Sequence, residues 1–258
     1  MKETHKRVIS AVIGIVLLFF FINKGGIYLN TGVLLISLIG LREFFNALKQ
    51  IDLKPVDYLG YLTALLIYLS NFYNKIDIVF AITFAIITNL VVYLFSKNLR
   101  LKDIGATLIG ILYLPLLFSF INKLDDNIYI WLIFIVAFGT DTFAYLGGRF
   151  LGKRKLWPEI SPNKTIEGSV SGVVGSFILT ILFAYYIKSD AIYLVAISAI
   201  PISIFCQIGD LIASKIKRTV KLKDYGHIMP GHGGVLDRFD SIILASPLMY
   251  YYIIYFLN

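Results

Sequence analysis

Nine apolar segments, each near the length of a membrane span, are separated along this chain by short clusters of charge. A span needs about 20 predominantly apolar residues, within a range of roughly 17–25. Segments 8–23, 27–41, 56–74, 76–95, 104–121, 128–146, 168–187, 191–212 and 236–257 answer to that pattern. Lipid offers no partner to a backbone polar group, so such segments are left with the α-helix as their spanning form. The expected fold class is all-α, a multi-pass integral membrane protein of about nine transmembrane helices. Segment 27–41 is short, and its continuation REFFNALKQ reads as an amphipathic extension lying in the interface. Segments 56–74 and 76–95 share a tight turn at Asn74-Lys75.

The loop charges give orientation. Of 24 Lys and Arg residues, only Lys24, Lys75, Lys123 and Lys188 fall on one side of nine alternating spans; the other side holds the rest. Cytoplasmic loops carry the Lys/Arg excess, so the N-terminus and the dense loops 147–167 and 213–235 are expected in the cytoplasm. The formal charge of +8 is thereby read as topology-setting charge, and no nucleic-acid partner is expected. MKETHKR followed by VISAVIGIVLLFFFI resembles a signal peptide, but Asn-Lys-Gly-Gly follows instead of a small-residue cleavage site, so it is read as a retained first span. The single cysteine, Cys206, excludes an intrachain disulfide framework and a Cys-based zinc site. Residues 1–127 read as a transmembrane scaffold, and 128–258 as the catalytic region that carries nearly all the unusual residues.

Between the eighth and ninth segments, Gly209–Ser241 gathers acids, bases, two histidines and a Gly-His-Gly-Gly turn. Charge at a membrane boundary is tolerated only where it faces protein or water, and such a cost marks a working site. Asp210, Ser214 and Lys217/Arg218 are three and four residues apart and share one helical face. They read either as a pair closing a helix end or as a metal-binding carboxylate flanked by phosphate-binding bases. Asp237 and Asp240 share a face at the start of the ninth span, with Arg238 between them and Ser241 one turn on. The helix dipole accounts for one acidic residue there, not for two. Mg²⁺ favours oxygen ligands and commonly takes one or two carboxylates plus substrate phosphates, and Asp210 and Asp237, from adjacent spans, could converge on such an ion.

Pro230-Gly231-His232-Gly233-Gly234 lacks the P-loop spacing. Its glycines can still turn N–H groups toward an anion, with His232 beside them; the plain alternative is a re-entry turn. Asp141 is an ionisable residue inside the sixth segment and either binds metal or pairs with Lys164 or Arg218. Lys164 and Thr165 offer phosphate a charge and a hydroxyl, and Glu167 is placed to cap the next helix. Lys153-Arg154-Lys155 reads as a contact to anionic lipid.

The run S-x2-K-R-x4-K-D-x5-P-G-H-G-G-x2-D-R-x-D occurs here as Ser214, Lys217, Arg218, Lys223, Asp224, Pro230 to Gly234, Asp237, Arg238 and Asp240. It closely resembles the signature of the CDP-diacylglycerol synthases (phosphatidate cytidylyltransferases). The likeness extends upstream to Gly209-Asp210-Leu211, Ser161–Gly168 and Asp141-x-x-Ala144-Tyr145, covering roughly residues 130–245. The resemblance implies CTP and phosphatidate as substrates, and CDP-diacylglycerol and pyrophosphate as products of phospholipid biosynthesis. It places the reaction at the cytoplasmic face of the inner (plasma) membrane. It implies Mg²⁺ held by Asp210 and Asp237, with a second, monovalent ion such as K⁺ and a homodimer as further expectations. Catalytic roles fall to Asp210, Asp237, Ser214, Lys217, Arg218, Lys223, Asp224 and Arg238. Substrate binding falls to Lys164, Thr165, Gly231, His232, Gly233, Gly234, Asp240 and Asp141.

Four positions depart from the family pattern: Ala213 stands where Glu is common, Asn163 where Lys is common, and Tyr225 and His227 replace Ser and Asn. Two rivals are weighed against this reading. A transporter would need a midplane site open to both sides, whereas this cluster lies toward one face. A CTP-dependent isoprenoid-lipid transferase or an archaeal-type ether-lipid cytidylyltransferase would share the chemistry and differ in the lipid.

Overall fold

Long runs of Leu, Ile, Val and Phe leave these segments little alternative to helix. The computed structural model describes residues 3–73, 77–228 and 233–257. The helices are α1 (Glu3–Lys24), α2 (Gly26–Lys49), α3 (Asp57–Leu69), α4 (Ile78–Phe95), α5 (Leu101–Ile111), α6 (Leu117–Asn122), α7 (Ile130–Leu151), α8 (Ile166–Tyr186), α9 (Ile192–Thr219) and α10 (Leu236–Phe256). A π-helical turn, Leu112–Leu116, joins α5 to α6 around Pro115. Proline has no N–H to give, and a widened turn is one way a helix passes such a residue.

Among the described residues, seven helices are long and apolar enough to cross a membrane, counting Leu101–Asn122 as one; Ile9–Lys24 and Asp57–Leu69 are shorter apolar helices. The chain is therefore an all-α, multi-pass membrane protein. Several boundaries differ from the sequence reading. The extension after segment 27–41 is continuous with it, as α2 runs unbroken to Lys49. Helix α3 has 13 residues, about 20 Å at 1.5 Å per residue, well short of the hydrocarbon thickness. Helix α9 runs on to Thr219, so Ser214, Lys217 and Arg218 are helical. Inside the loop 147–167 lies a small antiparallel hairpin, β1 (Lys155–Trp157) and β2 (Ser161–Thr165), with Lys155 opposite Thr165 and Trp157 opposite Ser161. The Asn74-Lys75 turn lies outside the described residues.

The chain divides into two compact units: residues 1–126 with 219–239, and residues 127–218 with 240–258. In the first, the fully buried Phe45 ring of α2 approaches Gly60 on α3 and Gly110 on α5 so closely that a Cβ at either glycine would stand 2.7 or 2.4 Å from it. Asp103, fully buried, accepts N–H groups from Lys54 (2.9 Å) and Arg100 (2.8 Å) and pairs with the Arg100 guanidinium. Val56 N–H reaches Thr107 Oγ1 at 2.8 Å beside it. These bonds tie the α2–α3 connection to the start of α5.

In the second unit, α7 and α8 pack along a seam of small residues. A Cβ on Gly172 would stand 2.9 Å from the Thr140 carbonyl oxygen, and one on Gly168 2.7 Å from that of Ala144. Small residues let helix backbones approach where lipid supplies no hydrophobic drive between helices. Hydroxyls add cross-links: buried Thr140 Oγ1 donates to Ser203 Oγ (2.7 Å), and Tyr252 OH to the Leu194 carbonyl (2.7 Å). Helix α10 contains Pro247, which cannot bond the Ile243 carbonyl; the Ser246 hydroxyl donates to that oxygen at 3.2 Å instead.

Candidate active site

In the second unit the polar residues assemble where the hairpin meets the end of α9. Strand β2 leads directly into α8, whose N-cap is Thr165: its hydroxyl accepts the Gly168 N–H at 3.1 Å, and the residue is buried. Glu167 stands in the first turn of α8. Its carboxylate holds the Lys153 and Arg154 N–H groups at 2.9 and 3.1 Å and so fastens the approach to β1. Lys164, next to the cap, forms an ion pair with Asp210 of α9. Asp210 also accepts the Ser214 hydroxyl at 3.3 Å, so the stripe expected from three- and four-residue spacing is formed. Arg218 Nε reaches the Ile160 carbonyl between the two strands at 3.4 Å.

Two further carboxylates belong to this group. Asp240 of α10 is 8% exposed and lies in electrostatic reach of Asp210, Lys217 and Asp141. Its Oδ1 accepts the Ser241 N–H at 2.8 Å. Asp141 of α7 accepts the Ser241 hydroxyl at 3.3 Å. The ion pair of Lys164 is therefore with Asp210, while Asp141 engages α10 through Ser241. Lys217 is 9% exposed, an unusual degree of burial for an amine unless acidic groups surround it. A Cβ on Gly209 would lie 2.6 Å from the Asp240 carbonyl, so glycine there allows α9 and α10 to close at this level.

In the first unit, the segment entering α10 is folded around carboxylates. Asp237 Oδ2 accepts the N–H groups of Tyr225 (2.8 Å) and Gly234 (2.9 Å), bringing both backbones to one carboxylate. Gly233 takes φ +86°, a left-handed conformation open to glycine. Lys223 and Arg238 are exposed, and Asp224 is half-buried beside Gly233. Pro230, Gly231 and His232 lie outside the described residues. One residue of this segment's surroundings escaped the sequence reading. Glu43 of α2, 4% exposed, accepts the Val235 and Leu236 N–H groups at 3.0 and 2.8 Å.

The sequence profile of the Cytidylyltransferase family matches residues 5–256. The chain belongs to that family. Phosphatidate cytidylyltransferase of Staphylococcus haemolyticus is 34% identical over 251 residues, which cover 94% of this chain and 96% of that relative. Phosphatidate cytidylyltransferase of Bacillus subtilis is 33% identical over 270 residues, covering 97% and 98% respectively. This cytidylyltransferase is accordingly a nucleotidyltransferase built into a membrane.

The donor chemistry of the site fits a hard divalent cation. Asp141, Asp210, Asp240 and Ser214 of the second unit present oxygen alone, the ligand type that Mg²⁺ prefers. Among the described residues, no group of three or more His, Cys, Asp or Glu side chains is arranged as a cage for a metal ion. Of the departures from the family pattern, Ala213 is fully buried, where a Glu would have brought an extra carboxylate into the packing of α9. Tyr225 contributes its backbone N–H, a role indifferent to its side chain.

Proposed function

We propose that this chain is a phosphatidate cytidylyltransferase, converting CTP and phosphatidate into CDP-diacylglycerol and pyrophosphate at the cytoplasmic face of the plasma membrane. The observation that carries the reading is the Lys164–Asp210–Ser214 arrangement, with Asp240, Asp141 and Lys217 around it, in a chain of the Cytidylyltransferase family. Both relatives described above bear that enzyme's name over nearly their whole length.

The chemistry asks for little more than charge control. A phosphate oxygen of phosphatidate attacks the α-phosphorus of CTP, a new P–O bond forms, and the bond to the β-phosphate oxygen breaks, releasing pyrophosphate. The nucleophile is already ionised, so no strong base is needed; in-line positioning and neutralisation of the oxygens carry the rate. Lys164, Lys217, Arg218, Lys223 and Arg238 supply positive charge for the triphosphate, the lipid phosphate and the leaving group. Lys164 and Asp210 neutralise one another in the free chain. A metal–nucleotide complex offers each a partner of opposite sign. Mg²⁺, with Asp210 and Asp237 as the proposed protein ligands, would supply charge neutralisation to the phosphates; a monovalent ion such as K⁺ and a homodimer belong to the same proposal. Ser214 orients the Asp210 carboxylate, and Thr165 fixes the strand-to-helix corner that presents Lys164.

The test incubates purified protein with labelled CTP, phosphatidate and Mg²⁺ and separates CDP-lipid from pyrophosphate. Formation of both in equal amounts is expected, and their absence across several phosphatidates overturns the reading. A product from an isoprenoid or ether lipid phosphate alone would keep the chemistry and change the substrate.

A further inference from the structure

Four backbone N–H groups around the start of α10, those of Tyr225, Gly234, Val235 and Leu236, are all taken by two carboxylates, Asp237 and Glu43. Asp237 is local. Glu43 comes from α2, and each of its oxygens takes one N–H. Helix starts need such acceptors because their first N–H groups have no partner within the helix. The usual solution is a Ser, Thr, Asp or Asn at the N-cap. Here Val235 occupies that position, and the acceptor is imported from far along the chain.

That arrangement is costly. Glu43 is a carboxylate at 4% exposure, and an ionised group out of water must be fully hydrogen-bonded to be tolerated. It also stands in electrostatic reach of Asp237, a charge of the same sign. The loop is shaped to admit it. A Cβ on Gly226 or on Gly234 would stand 2.5 Å from Glu43 Oε1, so both glycines are needed for the carboxylate to enter. A side chain that served stability alone would be replaced more cheaply by a local cap. What the carboxylate adds is a fixed height and rotation for the first turn of α10, the turn that carries Asp237.

We propose that Glu43 is a positioning residue of the reaction: it clamps the backbone at Val235 and Leu236 and so holds Asp237 and Gly233-Gly234 in their working conformation. This rests on the reaction proposed above. Glu43 acts on the reaction through Asp237, without touching substrate.

The experiment compares the full-length wild type with Glu43→Gln and Glu43→Asp in lipid nanodiscs, reading kcat, KM for CTP, thermal unfolding and hydrogen exchange of peptides spanning 233–240. Gln keeps the shape but turns an NH2 toward one backbone N–H. Glu43→Gln is expected to speed exchange of the 233–240 peptides at least about tenfold, leave α7 peptides unchanged, and lower kcat at least about tenfold with a smaller change in KM. Glu43→Asp, which keeps the charge on a shorter arm, should recover part of both. Unchanged exchange and kcat in Glu43→Gln overturns the proposal. So does faster exchange throughout the molecule with a matching fall in unfolding temperature, which marks a merely structural role, and so does local fraying with normal kcat and KM. A wild type that makes no CDP-lipid overturns the reaction and with it the catalytic half of this inference, while the exchange arm still decides whether Glu43 holds the helix start.

Discussion

Asp210 is bound on two sides, by the Lys164 ammonium and by the Ser214 hydroxyl, so its orientation is set before any ligand arrives. Asp237 is likewise fixed by two N–H groups of its own loop. Pre-set charge of this kind is worth far more to a reaction than charge that must reorganise. Asp210→Asn and Asp237→Asn are each expected to lower kcat by at least about 10²-fold, the scale for losing one strong electrostatic stabiliser; steady-state assay of CDP-lipid formation checks it. Near-normal turnover in either variant removes that residue from the proposed metal site. A different carboxylate reports on the loop before α3. Bonding to the Arg100 guanidinium holds exposed Asp52 below the usual carboxylate range. A depressed folded value means the contribution is present above the unfolded value of about 4 and is lost as pH falls through the lower folded one. Carboxyl NMR titration should show that lowering, and Arg100→Gln should bring Asp52 back to an ordinary value.

Elements differ in how far the sequence reveals them. The Asp210–Ser214 stripe was legible because helical neighbours three and four apart need no tertiary knowledge. The hairpin was not: Lys155–Trp157 and Ser161–Thr165 are three and five residues long, hold a proline, and show no alternation of apolar and polar residues. Glu43 was hidden for another reason. Its partners lie 192 and 193 residues away, and REFFNALKQ on its own has the pattern of an interfacial helix. Helix α9 extends past its apolar run because the polar stripe continues the helix: its 28 residues measure about 42 Å, beyond the roughly 30 Å of hydrocarbon. The last turns, with Ser214 to Arg218, lie beyond the apolar run of the helix. The α7–α8 seam is less forgiving. Gly172→Val would drive branched methyls against the Thr140 carbonyl, 2.9 Å from the nearest Cβ position. We expect a loss of about 1–3 kcal/mol, the cost of overpacking a filled interface, read as a lower unfolding temperature in detergent. An unchanged transition would show that the seam opens freely.

At the scale of the whole molecule, the proposed reaction requires that the charge-dense connections face the compartment that supplies nucleotide. The loop charge asymmetry supports a cytoplasmic setting for 97–102 and 147–167, and an outer one for 123–127 and 188–190. The lone cysteine simplifies the measurement, because Cys206 is fully buried and its replacement by Ser leaves a blank background. Asn98, Lys123 and Asp190 are exposed positions suited to a reporter thiol. In intact cells, a membrane-impermeant maleimide is expected to label Lys123→Cys and Asp190→Cys and to spare Asn98→Cys until the membrane is opened. The reverse pattern would turn the Lys164–Asp210 region away from the cytoplasm and remove its access to CTP. Labelling of Lys123→Cys without Asp190→Cys would mean that the chain crosses the bilayer an odd number of times between them, which α7 and α8, packed as a helical pair joined through the hairpin, do not allow.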